Sequence, residues 1–316
     1  MLSRRGIRIK AMQVVYMVQQ SGGTINEVAA QRLLKQTINN AFQSYLYCLH
    51  FITQLALQVD LEAHRRKNKY LPTEEDLNFP TKFFINPVIT FLNTNQYFQS
   101  QLRKEKLLTL VDEEMIPVIY NQLKEFEPYK EYITEDNALD NKTHKTIIKK
   151  IMNEFLCMNE YFDQHMEDVI STWADDEFIV KSLVEDVVNE IPFSNLRDER
   201  FFSLSLTAEE EEFAETLLSK TIAEKEKYES IIEPKLKNWE MDRISIIDSI
   251  LMKMAITEFL FLPTIPVKVS INEYLDISKL YSTPKSKEFI NGVLDKVMFE
   301  LKNNGGIIKT GRGLIE

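Results

Sequence analysis

The chain has 316 residues, 44% of them hydrophobic, with 48 acidic against 38 basic side chains and a net charge of −10. A chain of this length buries a sizeable core without disulfide staples, and its two cysteines are too few for a disulfide framework or a structural zinc site. The acidic balance excludes a nucleic-acid binder that uses its whole surface and leaves room only for a local basic patch.

Glycine placement sets the fold class. Only 8 occur, where about 7% usage would give roughly 22, and none lies between Gly23 and Gly292. Phosphate-cradling loops, nucleotide-binding fingerprints, nucleophile elbows and two-residue hairpins all need glycine. The reading is therefore all-α, and the length suggests two domains.

Taken in chain order, Ile7, Ala11, Val14, Val15 and Val18 predict a first helix from about Ser3 to Gln20, stopped by Gly22-Gly23. This start is rich in arginine and free of acids, as a transit peptide would be, but Gln13, Gln19 and Gln20 and the lack of a small-residue cleavage site argue against secretion. Helical spacing continues from Thr24 to Tyr70, as one long helix or two. Pro72, Pro80 and Pro87 then break the chain. Shorter helices are expected over Val88–Leu92, over Gln96–Val111 and around Pro117, with another break at Pro128. Longer ones are expected from Thr143 and over Glu177–Glu190.

The texture changes near Leu204. Thr207 and Glu210 form a capping-box pattern ahead of a charged helix to about Ser230, and a short piece follows to Trp239. Asp242 is placed to cap an apolar helix ending at Leu262, which should be the buried centre of a bundle. A helix over Ser270–Leu280 comes next, then a last one with Thr283 as cap and Pro284 at its first position, ending near Asn303–Gly306. The tail 304–316 is expected to be frayed. No run reaches the length of a membrane span, and the reading is cytoplasmic.

Catalysis finds little support. His50, His64, His144 and His165 make no metal or nucleophile pattern, neither Cys48 nor Cys157 lies in a redox signature, and no cofactor or metal is expected. The one charged feature that stands out is Arg4, Arg5, Arg8 and Lys10, four cations without an acid in the first ten residues. They suit a phosphate-contacting helix face, or else ordinary surface charge.

The segment from Pro263 to Val297 carries a resemblance. Pro266-Val267-Lys268-Val269, Ile271-Asn272-Glu273, the Ser286/Phe289 pair and the run from Phe289 to Lys296 resemble the C-terminal signature of the transcription antitermination factor NusB family. Arg4-Arg5, Arg8 and Lys10 followed by Ala11, Gln13 and Tyr16 resemble the family's arginine-rich first helix. The resemblance covers 1–22 and 204–303 and implies a discontinuous NusB-like RNA-binding helical domain, interrupted by a helical insertion over 24–203. It implies a non-enzymatic adaptor that binds boxA-type ribosomal RNA leader sequences together with NusE, a small-subunit ribosomal protein, within the RNA polymerase antitermination complex. RNA contacts are expected from Arg4, Arg5, Arg8, Lys10, Tyr16 and Phe289, and partner contacts from Lys285 and Ser286. Lys285 stands where many members carry an acid. Two other readings compete: a protein-interaction scaffold dominated by the insertion, and the RNA-binding part of an RNA-modifying enzyme. The short tail after Asn303 has no room for the catalytic domain that the latter needs.

Overall fold

A computed structural model describes residues 2–134, 140–192, 198–203, 206–236 and 244–314. All regular structure among the described residues is helical. Two compact units divide the chain: one holds Leu2–Ile38 and everything from Leu206 onward, and the other begins at Asn39 and runs up to Leu206.

The first unit opens with α1 (Arg4–Gln20), whose N-cap Ser3 side chain accepts from the amide of Gly6. It closes as expected: Gly22 and Gly23 take positive φ of 60° and 92°, which a side chain would resist. The opening turns of α2 (Glu27–Lys67) belong to this unit and bury Ala30, Leu34 and Ile38. The capping box at Thr207 forms, with the Thr207 amide donating to Glu210 Oε2 at 2.8 Å. It starts α12 (Ala208–Ala223), but the chain breaks at Glu224 into a separate α13 (Lys225–Ile232), where one continuous helix was expected. Asp242 and Trp239 lie outside the described residues.

α14 (Ile246–Phe261) is the central helix, buried without interruption from Ile250 to Phe259. It packs against α1, α12 and α13, and also against α15 (Val267–Tyr281) and α16 (Ser286–Asn303). The last two helices differ from expectation at their starts. α15 begins three residues early, directly after Pro266. α16 begins at Ser286, because Thr283 and Pro284 form the preceding turn, in which the Ser286 amide donates to the Thr283 carbonyl.

The tail after Asn303, expected to fray, is tied down at Lys309 and Thr310. The Thr310 amide donates to the Pro263 carbonyl at 3.0 Å, and the Lys309 ammonium donates to the carbonyls of Glu258 and Leu262 at 2.8 and 3.0 Å. The Glu258 and Leu262 carbonyls lie at the C-terminal end of α14, where the helix dipole favours a cation.

The second unit is built around the remainder of α2, a single long helix that buries Tyr45 to Leu49, Phe51, Ile52, Leu55, Ala56 and Val59. Around it lie α3 (Glu74–Leu77), α4 (Pro87–Thr94), α5 (Gln96–Lys104), α6 (Met115–Leu123), α7 (Glu127–Thr134), α8 (Asn141–Lys150), α9 (Glu160–Val169), α10 (Trp173–Glu190) and α11 (Asp198–Phe202). α5 stops short of the expected Val111 because Lys106 turns to φ 58° ahead of a 3-10 turn over Leu107–Leu110. Aromatic pairs knit this core, with Phe51 to Phe162 at 4.8 Å, Phe162 to Trp173 at 5.9 Å and Phe98 to Phe202 at 5.0 Å.

Candidate nucleic-acid interface

The basic start of α1 does not present four free charges. Arg8 is 2% exposed and reaches Glu258 with both edges of its guanidinium, Nε to Oε1 at 2.7 Å and Nη2 to Oε2 at 3.0 Å. Glu258 also accepts from the hydroxyls of Tyr274, at 2.7 Å, and Ser270. Burial by itself weakens Arg8's hold on its proton, but the charge and hydrogen bonds of Glu258, then Tyr274 and Glu273, outweigh it and leave the guanidinium held more firmly than usual. Burial, followed by the Glu258 charge, pushes the Tyr274 phenol up. Lys10 is fully buried. Both residues were expected on a solvent-facing basic face. They lie inside instead, because a charge that enters a core needs counter-charges and hydrogen bonds to be tolerated, and Glu258 supplies them for Arg8.

Arg4 and Arg5 are the half-exposed members. Arg5 donates to both carboxylate oxygens of Glu273 at 2.9 Å and to Asp276 at 3.1 Å. The hydrogen bond to Glu273 is the main reason its proton is held above the ordinary range. Asp276 in turn is held below the usual carboxylate range by Lys279 first, and by Arg5 and Lys287 after it. The first turn of α16 therefore lies within electrostatic reach of the Arg5 pair. Arg4 pairs with Glu209 and lies over the Phe213 ring, 5.5 Å from its centroid. Arg8 lies over the same ring at 5.3 Å.

The aromatic and partner candidates separate in the same way. Tyr16, in the last turns of α1, is 39% exposed. Lys285, the N-cap of α16, is exposed, and on the helix itself Phe289 is half-buried and Gly292 is exposed. Their spacing of four and three residues puts them on one stripe. A Cβ at Gly292 would meet nothing within 4 Å, so this glycine is not there for close helix packing. Ser286, by contrast, is 2% exposed and donates to Asp248 at 2.8 Å, in a knot that also holds Ser282 and Thr283. The structure gives it a role in closing the turn between α15 and α16.

The acids that complete this arrangement, Glu209, Glu258, Glu273 and Asp276, were not among the expected site residues, although Glu273 lies in the Ile271-Asn272-Glu273 motif. One of them had a signal, since Glu258 is the one carboxylate within the unbroken buried stretch Ile250–Phe259 of α14 and so demands a buried partner. Among the described residues no helix is long and apolar enough to cross a membrane, and no cluster of three His, Cys, Asp or Glu residues is placed to hold a metal.

The profile of the NusB family matches residues 179–299, beginning inside α10 and so earlier than the expected boundary near 204. Among curated proteins, the transcription antitermination protein NusB of Salinibacter ruber is 46% identical over 104 residues, which cover 33% of this chain and 65% of the relative. That of Chloroherpeton thalassium is 52% identical over 79 residues, 25% of this chain and 37% of the relative. That of Listeria monocytogenes is 42% identical over 94 residues, 30% of this chain and 73% of the relative. The chain thus spans less than two thirds of the first two relatives. No solved structure matches. With nearly three quarters of the Listeria protein covered at 42% identity, this chain belongs to the NusB family.

Proposed function

We propose that this chain is a cytoplasmic, non-enzymatic transcription antitermination factor that binds boxA-type RNA jointly with NusE and acts within the RNA polymerase antitermination complex. The observation that carries the reading is the 42% identity over most of the length of a protein named for transcription antitermination. The geometry is compatible with it. Arg4 and Arg5 stay half-exposed at the start of α1, and Phe289 on α16 shares a stripe with exposed Gly292 and with Lys285 at the N-cap. We assign phosphate contacts to Arg4 and Arg5, base contacts to Phe289 and Tyr16, and a partner contact to Lys285. Arg8, Lys10 and Ser286 support the helices that carry these residues. Cationic side chains on phosphates give affinity, and aromatic rings against unstacked bases give selectivity for single-stranded RNA.

Transcription past a terminator placed downstream of a boxA element tests this. Adding the chain and NusE to RNA polymerase is expected to raise read-through on the boxA template and to leave a scrambled template unchanged. Equal read-through on both would remove the reading.

The second unit favours an additional role, because it has a core of its own. We infer that NusB-like function resides in the unit holding α1 and α12–α16, and that the inserted unit serves as a protein-interaction scaffold. Capture of a defined partner by the full chain, lost when surface residues of α3 to α11 are replaced, would support that role; loss upon replacing surface residues of α16 instead would refute it.

A further inference from the structure

The residues after position 299 lie beyond the family match, yet they fold back onto the NusB-like unit and with it line a partly open cavity of about 610 Å³. This is well inside the range of about 300–1,000 Å³ typical of small-molecule sites. Its walls are aliphatic, from Val267 and Met298 on the helices and Ile307, Ile308 and Leu314 on the tail. Its charged groups are Lys268, Lys302 and Lys309, with no carboxylate among the described residues that line it. In a chain where acids outnumber bases 48 to 38, three ammonium groups around one apolar space are a local reversal of sign.

Two further features point the same way. Val267 and Lys268 are the first residues of α15, whose N-cap, Pro266, provides no side-chain cap. The positive end of a 15-residue helix therefore adds to the lysines. Ile308 and Leu314 are 70% and 66% exposed although the segment between them is anchored at Lys309 and Thr310. An apolar occupant would cover these two side chains.

We propose that this cavity is a binding site for an amphipathic anion: an aliphatic, acyl-like body with a single carboxylate or phosphate head. The chemistry of the walls selects this class. No aromatic ring is available to stack a nucleobase, and no Asn, Gln, Ser or Thr side chain lines the cavity to read a base edge. Branched aliphatic walls suit a hydrocarbon chain, and the lysines suit a compact anionic head. Lys309 uses two of its three N–H donors on the carbonyls that end α14, so the third remains for the head group. Burial lowers the Lys309 pKa to about 8, a penalty that an adjoining anion offsets.

Calorimetric titration of the full chain with decanoate, decyl phosphate, decanol, inorganic phosphate and a 12-nucleotide RNA tests this. Decanoate and decyl phosphate are expected to bind saturably at one per chain, and their relative affinity identifies which head the site prefers. Decanol, which lacks charge, and inorganic phosphate, which lacks a chain, are expected to bind at least tenfold more weakly. Lys268→Gln combined with Lys302→Gln should weaken decanoate binding at least tenfold in a chain that still melts cooperatively, since both side chains are exposed. Gly313→Val should weaken it independently, because a Cβ there would come within 1.9 Å of the Pro263 carbonyl and lift the tail. Decanol binding as tightly as decanoate, no saturable binding of either amphiphile, or RNA displacing decanoate through the same two lysines would each overturn the proposal.

Discussion

Arg8 and Glu258 meet as a bidentate ion pair, Nε to Oε1 at 2.7 Å and Nη2 to Oε2 at 3.0 Å, with side-chain exposures of 3% and 0%. The pair joins α1 to α14, and the Tyr274 and Ser270 hydroxyls on Glu258 extend the joint to α15. The residues with the strongest claim to be RNA contacts by charge alone thus include one that assembles the bundle. Removing one partner of a buried pair leaves an uncompensated charge and costs about 3–5 kcal/mol. Arg8→Ala is expected to lose stability of that order in urea denaturation, and Arg8→Met with Glu258→Leu to recover much of it. A loss for Arg8→Ala no larger than that of an exposed ion pair, about 1 kcal/mol or less, would contradict this role.

Arg5 is held by Glu273 and Asp276, so a phosphate must compete with two carboxylates for it. Glu273→Gln with Asp276→Asn is expected to raise RNA affinity several-fold by relieving that competition. Arg5→Glu is expected to lower affinity for all RNAs and to reduce the salt slope by about 0.7, the amount for one single-strand phosphate contact. Filter binding across a salt series reads both. Weaker binding by the double neutral variant would show that the acids orient Arg5 rather than compete for it.

His50 sits in the second unit, 6% exposed, with its Nδ1 unpaired among the described residues. Burial lowers its pKa from 6.5 to about 4. Between those values the unfolded chain binds a proton that the folded chain refuses, so stability rises with pH through this window and falls as acid is added. His50 alone gives a slope of up to about 1.4 kcal/mol per pH unit. Thermal melts from pH 7 to pH 4.5 are expected to show a shallower decline for His50→Gln than for the natural chain. Parallel declines would remove His50 from the account.

Gly292 occupies the interior of α16 with open space around it. Alanine there should stabilise the helix by about 0.5–1 kcal/mol through backbone entropy. If the stripe of Lys285, Phe289 and Gly292 receives RNA or a partner, the added methyl group should weaken that binding while the melting temperature rises. A Gly292→Ala variant that gains stability and keeps full RNA and NusE affinity would separate this glycine from the interface.

The sequence made the helices legible for specific reasons. The glycine gap excluded strands joined by tight turns. The Thr207–Glu210 box marked the start of α12, and the apolar circumference of the helix ending at Phe261 marked it as central. Pro117 falls in the first turn of α6, where its missing N–H is an orphan in any case. The pairing of the basic face was not legible. Spacing along α1 places Arg4, Arg5 and Arg8 close together but says nothing of carboxylates more than two hundred residues away that fold onto them. The tail misled for a related reason: its glycines and polar residues suit a frayed end, and the contacts that hold it are backbone carbonyls of Glu258, Leu262 and Pro263, which leave no trace in side-chain pattern.

In the proposed function, this NusB-family chain reads boxA-type RNA through Arg5 and Phe289 in company with NusE. The most direct test is an equilibrium titration of the chain plus NusE against boxA RNA and a scrambled RNA, repeated with Arg5→Glu and Phe289→Ala. Tighter binding to boxA is expected, with a loss on both RNAs for Arg5→Glu and a loss confined to boxA for Phe289→Ala. Equal affinity of the natural chain for the two RNAs, or unchanged binding in both variants, would contradict the proposed function.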